Sequence, residues 1–134
     1  MAPLSVDDQD TRLTLAIIRQ FHDAFNHHAV AQIMNLMTDD CVFENTNPPP
    51  DGVRLEGHAA VRAYWEDFFR QSPRAHFEIE EVFAHADRGI LRWRYTWVDV
   101  QGRAGHVRGV DIFAVQNGKV AEKLSYVKGY SIPK

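Results

Sequence analysis

Asp111 is the residue whose position in this sequence most favours chemistry. It is in phase with Val107 and Phe113 in a stretch of alternating residues, so it shares a face that alternation predicts to be buried. A carboxyl group among apolar neighbours costs free energy unless it is protonated or paired, and enzymes use such environments to obtain an acid or a base near neutral pH. We therefore predict that Asp111 is an acid/base group in a pocket. The alternative is a structural carboxylate that is hydrogen-bonded to Ser125, Arg94 or a helix end.

Asn45 is the second polar residue that we predict to face a pocket. Residues 41–45 have the pattern of a short strand, in which Phe43 and Asn45 share one face. Because Asn45 lies on the side of an aromatic ring, we expect its amide to point inward and to orient an oxygen atom of a ligand or a water molecule. The alternative is a turn amide that caps backbone groups at Thr46 and Asn47.

Aromatic residues make up 11% of the chain, and large rings either fill a core or line a cavity. In one predicted strand, Trp93 and Tyr95 alternate with Arg92 and Arg94. The aromatic row faces inward unless a bulge reverses the phase and turns Arg94 toward Asp111. Tyr64 and Ser125 are predicted to assist catalysis. The residues that we predict to contact a ligand are all aromatic: Phe21, Phe43, Trp65, Phe68, Trp93, Tyr95, Trp97 and Phe113.

Seven histidines raise the question of a metal site. No two of them have the His-x3-His spacing with nearby carboxylates that a zinc site on a helix uses, so we predict no metal and no cofactor. His22 and His106 are alternative proton carriers because imidazole titrates near physiological pH. For both residues the alternative is a solvated side chain. We expect the pair His27-His28, at a helix break, to be solvated.

The composition is that of one globular domain. The chain has 134 residues, of which 45% are hydrophobic and 25% are charged, enough for a single core. A net charge of −3 with scattered basic residues argues against nucleic acid as a partner. The single Cys41 excludes an intrachain disulfide framework and fits a cytoplasmic location. The sequence lacks both a signal-peptide pattern and the about 18 consecutive apolar residues of a membrane span, so we predict no membrane partner.

Helical spacing of apolar residues predicts three helices in the first half of the chain. We place the first at residues 11–26, after a flexible N-terminus of residues 1–10, and the second at residues 30–37. The third includes residues 61–68. Before it, residues 46–57 form a loop that three consecutive prolines stiffen.

From His76 onward the period of the apolar residues changes to 2, which predicts four antiparallel strands. The pair Glu80-Glu81 indicates a β-bulge, and Asn117-Gly118 indicates a hairpin turn before a last strand at residues 120–127. Three helices followed by a mostly antiparallel sheet predict an α+β domain at residues 11–130. Its curved sheet and helices enclose a cone-shaped pocket.

Together with this order of elements, four segments resemble the nuclear transport factor 2-like superfamily, and within it the SnoaL-like and ketosteroid isomerase-like proteins. The segments are FHDAFN at 21–26, LMTDDCVFEN at 36–45, LEGHAAV at 55–61, and RGVDIF with NGKV at 108–120. The resemblance covers about residues 12–128. It implies an α+β barrel of the cystatin-like type and a homodimer that forms through the outer face of the sheet.

The resemblance carries over to chemistry only position by position. In ketosteroid isomerases an aspartate base stands where this chain has Asn45, and a donor tyrosine stands where it has Phe21, whereas Asp111 matches a protonated aspartic acid. Asn45 also resembles the water-positioning asparagine of limonene epoxide hydrolases. Thr96 and Ser125, however, occupy the carboxylate positions of those hydrolases, and Ser125 replaces the acid/base aspartate of SnoaL-type cyclases.

These observations predict a SnoaL-like protein that binds a small, apolar, oxygenated molecule. If it is catalytic, we expect cofactor-free proton transfer in an isomerisation, a cyclisation or a water addition, with Asp111 as the acid/base and Asn45 as the orienting group. The alternative is a non-catalytic module for ligand binding or dimerisation.

Overall fold

A computed structural model describes residues 5–99 and 101–129 of the chain. The first half contains α1 (Val6–Asn26), α2 (Val30–Asn35), β1 (Met37–Glu44), β2 (Arg54–Glu56) and α3 (His58–Gln71). The second half contains β3 (His76–His85), β4 (Arg88–Val98), β5 (Ala104–Gln116) and β6 (Lys119–Lys128).

These strands form one curved, unclosed sheet in the order β2-β1-β6-β5-β4-β3. Strand β1 runs parallel to β6, and the other neighbours are antiparallel. The predicted α+β fold, with N-terminal helices against a curved sheet, is confirmed. None of the helices in the described ranges is both long and apolar enough to cross a membrane.

The first helix begins at Val6, five residues before the predicted start. Ser5 is its N-cap, and the Ser5 Oγ atom accepts a hydrogen bond from the Asp8 backbone N–H at 3.1 Å. Asp7 and Asp8 lie in the first turn, where negative charge is favourable. Residues 6–10 therefore belong to the helix and not to a flexible N-terminal segment, while residues 1–4 lie outside the described ranges.

The second helix is shorter than predicted, and strand β1 begins earlier. Helix α2 ends at Asn35, and the Leu36 carbonyl accepts a hydrogen bond from the Val120 N–H at 2.7 Å. Pairing with β6 thus starts at Met37, so residues 38–40, which we predicted to end the helix, lie in β1.

The structure confirms two other local predictions. The β3–β4 register shifts between Ile79 and Glu81, which confirms the bulge, and Asn117 and Gly118 both have positive φ (53° and 75°), which confirms the hairpin turn. In contrast, the predicted loop at 46–57 is interrupted by β2, which pairs antiparallel with β1.

Hydrogen bonds attach helix α1 to the sheet at both of its ends. Near its start, the Thr14 hydroxyl donates to the Ala86 carbonyl at 2.7 Å, and the Ala86 N–H donates to Thr11 Oγ1 at 2.7 Å. At its end, the Asn26 side chain donates to the Phe77 carbonyl and accepts from the Phe77 N–H, both at 2.8 Å. These bonds satisfy backbone groups of the β3–β4 turn and of β3, and they hold the helix over the concave face of the sheet.

Candidate functional site

A cavity of about 160 Å³ lies between the helices and the concave face of the sheet. Its aromatic wall consists of Phe25, Phe43, Tyr64, Trp65, Phe68, Phe77, Trp93 and Tyr95. Its polar wall consists of Asn45, Thr46, Asp111, Lys123 and Ser125. All four residues that we predicted to be catalytic (Asp111, Asn45, Tyr64 and Ser125) are therefore brought together around one space.

Three polar side chains form a connected cluster on the sheet side of this cavity. The Ser125 hydroxyl donates to Asp111 Oδ1 at 2.6 Å, and Lys123 Nζ donates to Ser125 Oγ at 3.1 Å. Lys123 Nζ also lies 3.3 Å from Asp111 Oδ2. Of the three partners considered for Asp111, the Ser125 hydroxyl is found, whereas the cation beside the carboxylate is Lys123 and not Arg94.

Lys123 is buried, with 7% of its surface exposed. Its ammonium nitrogen lies 4.4 Å from the centroid of the Phe43 ring and 5.7 Å from that of Phe25. Burial lowers the pKa of Lys123 below its ordinary value, while the neighbouring Asp111 acts in the opposite direction. An amine held in this way can act as a hydrogen-bond donor, as a proton carrier or as a nucleophile.

Sequence reasoning missed Lys123 because a β-bulge in β6 reverses the alternation of inward and outward side chains along the strand. Val115 lies opposite Val120 and Ala114 lies opposite Glu122, so Ala121 is the extra residue of a bulge. Counting from the buried Val120 therefore assigns Lys123 to the outer face. Counting back by two from Ser125 assigns it to the cavity, and this signal was present in the sequence.

Asn45 lies in the cavity wall, and its backbone partner is Val53 and not the predicted Thr46 or Asn47. It lines the cavity and is buried, and its Oδ1 atom accepts a hydrogen bond from the Val53 N–H at 2.7 Å, so it also fixes the loop at residues 45–53. Gly52 has a φ of +68°, and a Cβ atom there would overlap the Asn45 carbonyl group. Burial raises the pKa of Tyr64, whereas its contact with the Asn45 side chain lowers it, so the Tyr64 hydroxyl stays a donor at neutral pH.

The inner face of β4 carries Trp93 and Tyr95, and Arg92 and Arg94 are exposed on the other face. The bulge lies in β3 and leaves the phase of β4 unchanged, because β4 pairs with β5 residue by residue. Each of the aromatic side chains at 93 and 97 rests on a glycine of β5, since a Cβ atom on Gly109 or Gly105 would overlap the indole ring opposite it.

Five of the eight aromatic residues that we predicted to contact a ligand line the cavity: Phe43, Trp65, Phe68, Trp93 and Tyr95. The other three lie elsewhere. Phe21 and Phe113 are core residues whose rings are 5.7 Å apart, beside a space of only about 20 Å³. Trp97 stacks on Tyr95 at 5.5 Å and borders a separate surface groove.

Two buried donors of the cavity wall have no partner within the described ranges. They are the indole N–H groups of Trp65 and Trp93. A buried N–H without an acceptor costs about 1–3 kcal/mol.

The histidines lie around the cavity and not in its wall. His22 is half-buried next to it, its Nε2 atom is 3.1 Å from Asn26 Nδ2, and burial lowers its pKa. His28 is also half-buried and stacks on Phe69 at 4.4 Å, so the solvated position that we expected is wrong for it. His27 and His106 are exposed. Over the described part of the chain, no three His, Cys, Asp or Glu side chains are grouped closely enough to hold a metal ion.

Comparisons with known proteins agree with this fold. No curated protein matches the chain in sequence. Among solved structures, the chain is similar to a nuclear transport factor 2-like protein of unknown function from Mesorhizobium loti, with 38% identity over 96% of this chain and 98% of that chain and a TM-score of 0.76.

Two further structures share the fold at low identity. A candidate ketosteroid isomerase from Kribbella flavida is 18% identical over 93% of this chain and 84% of that chain, with a TM-score of 0.77. A candidate polyketide cyclase from Xanthomonas campestris pv. campestris is 15% identical over 87% of this chain and 91% of that chain, with a TM-score of 0.73. The family model of the SnoaL-like domain matches residues 18–123. The chain therefore belongs to the family of SnoaL-like domains.

Proposed function

We propose that the cavity binds a small, largely apolar carbonyl compound and that the protein catalyses cofactor-free proton transfer on it. The observation that supports this most is the cluster of Asp111, Ser125 and Lys123 in the wall of an otherwise aromatic space. A carboxylate and an amine that are fixed next to each other can remove a proton from carbon and stabilise the charge that develops on oxygen.

The size of the cavity limits the ligand. A volume of about 160 Å³ is close to that of apolar protein cavities of about 150 Å³ that hold one benzene molecule. We therefore propose a single ring or a short branched chain, not a fused four-ring steroid. A larger molecule would have to extend into the neighbouring groove, which Pro50, Asp51 and Gly52 border and which shares Asn45 and Ser125 with the cavity.

In the proposed reaction the ligand's carbonyl oxygen accepts a hydrogen bond from Lys123. Asp111 takes the proton from the carbon next to the carbonyl group, and Lys123 stabilises the resulting enolate. Return of the proton to a different carbon completes an isomerisation, and attack of the enolate within the same molecule completes a cyclisation. Tyr64 is a further donor at the opposite wall.

Binding is tested with cyclohexanone and a four-ring steroid ketone in a thermal-shift and calorimetric titration. We expect the small ketone to bind and the steroid to fail. Val107→Phe places a ring in the cavity wall and should abolish binding, whereas Val53→Phe, at an exposed position outside the cavity, should leave it intact. Equal loss in both variants, or no binding to the wild type, would refute the proposed ligand class.

Proton transfer is tested by incubating the ketone with the protein in D₂O and following the loss of the α-proton signals by NMR. Asp111→Asn should reduce exchange to the buffer rate, and Asp40→Asn, at an exposed position of β1, is the matched control. Exchange that is unchanged in Asp111→Asn would exclude this residue as the base.

One observation favours the second candidate, a binding module without catalysis. Both carboxylate oxygens of Asp111 already have partners, which is the arrangement of a structural carboxylate. Ketone binding without any exchange above the buffer rate would select this function.

We also propose a homodimer that forms through the outer face of the sheet. An apolar row crosses that face of the sheet. It consists of one residue from each of β3, β4, β5 and β6, in register: Phe83, Ile90, Ile112 and Leu124. Phe83 is 50% exposed, and Tyr126, opposite Val110 on the same face, is 51% exposed. A partly exposed apolar row of this kind is typical of a surface that another chain covers.

A further inference from the structure

We propose that the Lys123 amine forms an imine with aldehydes and ketones that enter the cavity, so that the protein captures its ligand covalently and reversibly. This inference rests on the proposed function, because the same cavity has to admit the carbonyl compound. It adds a nucleophile to a site in which the comparison with related enzymes identified only acid/base positions.

The position of the amine supports this step. Lys123 is part of the cavity wall, and its Nζ atom lies among the rings of Phe25 and Phe43 on one side and the polar cluster on the other. Lys119 and Lys128, the other lysines that the structure describes, are exposed at the two ends of the same strand. A carbonyl compound in the cavity would therefore meet Lys123 and neither of the others.

Stability alone does not account for this lysine. Replacing a buried ion pair by apolar residues of similar volume is often neutral or stabilising by about 1–4 kcal/mol. By this principle, an apolar residue at 123 with a neutral residue at 111 would complete the aromatic wall at little cost in stability. A buried lysine beside a cavity is better explained by its chemistry, since a desolvated amine is a standard covalent nucleophile toward carbonyl carbon.

The reaction is balanced without a cofactor. The nitrogen lone pair attacks the carbonyl carbon, a C–N bond forms, and the carbonyl oxygen becomes the hydroxyl group of a carbinolamine after taking a proton from the nitrogen. Loss of that hydroxyl group with the second amine hydrogen releases water and leaves a C=N bond. Ser125 and Asp111 can move these protons. The Ser125 hydroxyl group lies 3.1 Å from the Lys123 amine and 2.6 Å from the Asp111 carboxylate.

The charge state of the amine is compatible with attack. Burial lowers the pKa of Lys123, and each unit of lowering gives about tenfold more free amine at neutral pH. Asp111 opposes this effect, and it also accepts the proton that the amine has to lose. His22 of α1 borders a small space that Asp111 and Lys123 also border, and burial lowers the pKa of His22 more than Asp111 raises it.

The test uses benzaldehyde, an apolar carbonyl compound of one ring, with sodium cyanoborohydride at pH 7. Reduction of the imine leaves a benzyl group on the amine, and peptide mass spectrometry locates it. We expect Lys123 to be modified faster than Lys119 and Lys128, which are exposed at the two ends of the same strand and serve as controls within the same molecule. Lys123→Arg retains the charge but cannot form an imine, and in it the fast modification should be lost.

Modification that is equal at the three lysines, or that persists in Lys123→Arg, would overturn the inference. Benzyl alcohol, which has the same shape but no carbonyl group, separates this failure from a failure of the proposed function. If benzyl alcohol stabilises the protein against heat while Lys123 is not modified selectively, the cavity binds such molecules and the imine is excluded. If neither compound binds, both the inference and the proposed ligand class are wrong.

Discussion

The buried pair of Asp111 and Lys123 leads to a quantitative prediction about stability. The side chains of Asp111 and Lys123 are 6% and 8% exposed, and their charged atoms are 3.3 Å apart. At an effective dielectric constant of about 20, their attraction at this distance is about 5 kcal/mol, which is offset by the desolvation of both charges. Removing one partner leaves the other charge buried and unpaired. We therefore expect Lys123→Met or Asp111→Asn alone to lose about 3–5 kcal/mol of unfolding free energy.

The double variant Lys123→Met/Asp111→Asn distinguishes this reasoning from simple additivity. Independent losses would add to about 6–10 kcal/mol, but the double variant buries no unpaired charge, and the asparagine can still accept the Ser125 hydrogen bond at 111. We expect its loss to be no larger than that of either single variant. The measurement is urea unfolding of all four proteins at pH 7, followed by fluorescence of the tryptophans.

An exposed pair on α3 is the matched control. The Arg62 Nε and Glu66 Oε1 atoms are 2.7 Å apart, and each side chain is 51% exposed. The double-mutant cycle with Arg62→Met and Glu66→Gln should therefore give an interaction energy of about 0–1 kcal/mol. An interaction energy in that range for Asp111 and Lys123 would refute the reasoning. It would mean that water reaches the cluster freely and that the amine is not desolvated.

Three further predictions concern other parts of the chain. Burial holds the pKa of His22 below its ordinary value of about 6.5, so the unfolded chain takes up a proton that the folded chain does not, and stability falls as the pH drops from about 6.5 to 5. Urea unfolding of His22→Gln should show a smaller fall than the wild type. Gly52→Ala should lose more stability in the same assay than Gly118→Ala, because both positions have positive φ but only at 52 would the added Cβ atom meet backbone. Ile112→Glu on the outer sheet face should give a monomer by light scattering, whereas Leu13→Glu, on the exposed face of α1, should not; a wild-type monomer would exclude the dimer.

The fold was predictable because its signals are local and mutually consistent. A change of hydrophobic period at His76 and a turn at Asn117-Gly118 are sufficient to place the helices before an antiparallel sheet. The boundaries that differ are those set by pairing at a distance. The start of β1 depends on the Val120 N–H that donates to Leu36, and the strand β2 forms only because β1 offers an edge.

The candidate site was predictable to the extent that alternation holds. Asp111 and Ser125 lie opposite each other in the β5–β6 register, so the same parity puts both on the inner face. Lys123 was not found because a bulge at Ala121 interrupts the alternation two residues before it, and because a lysine in a strand is by default an exposed residue. Burial of a charged group is decided by three-dimensional neighbours, here Phe25 and Phe43, which lie far from it in the sequence.

The position of Lys123 also changes the interpretation of Ser125. The resemblance to SnoaL-type cyclases implies that Ser125 stands where those enzymes carry an acid/base aspartate, and so implies the loss of an acid/base group. In the structure, Ser125 bridges an amine and the carboxylate of Asp111. A second carboxylate there would face Asp111 across the strand pair, where like charges repel, and would hold Lys123 more firmly in its charged form. A neutral hydroxyl group passes protons without adding charge, so the amine stays closer to the state in which it can attack a carbonyl carbon. Replacing the hydroxyl group by a carboxylate, Ser125→Asp, should therefore slow the modification of Lys123 by benzaldehyde even if the protein is as stable as the wild type.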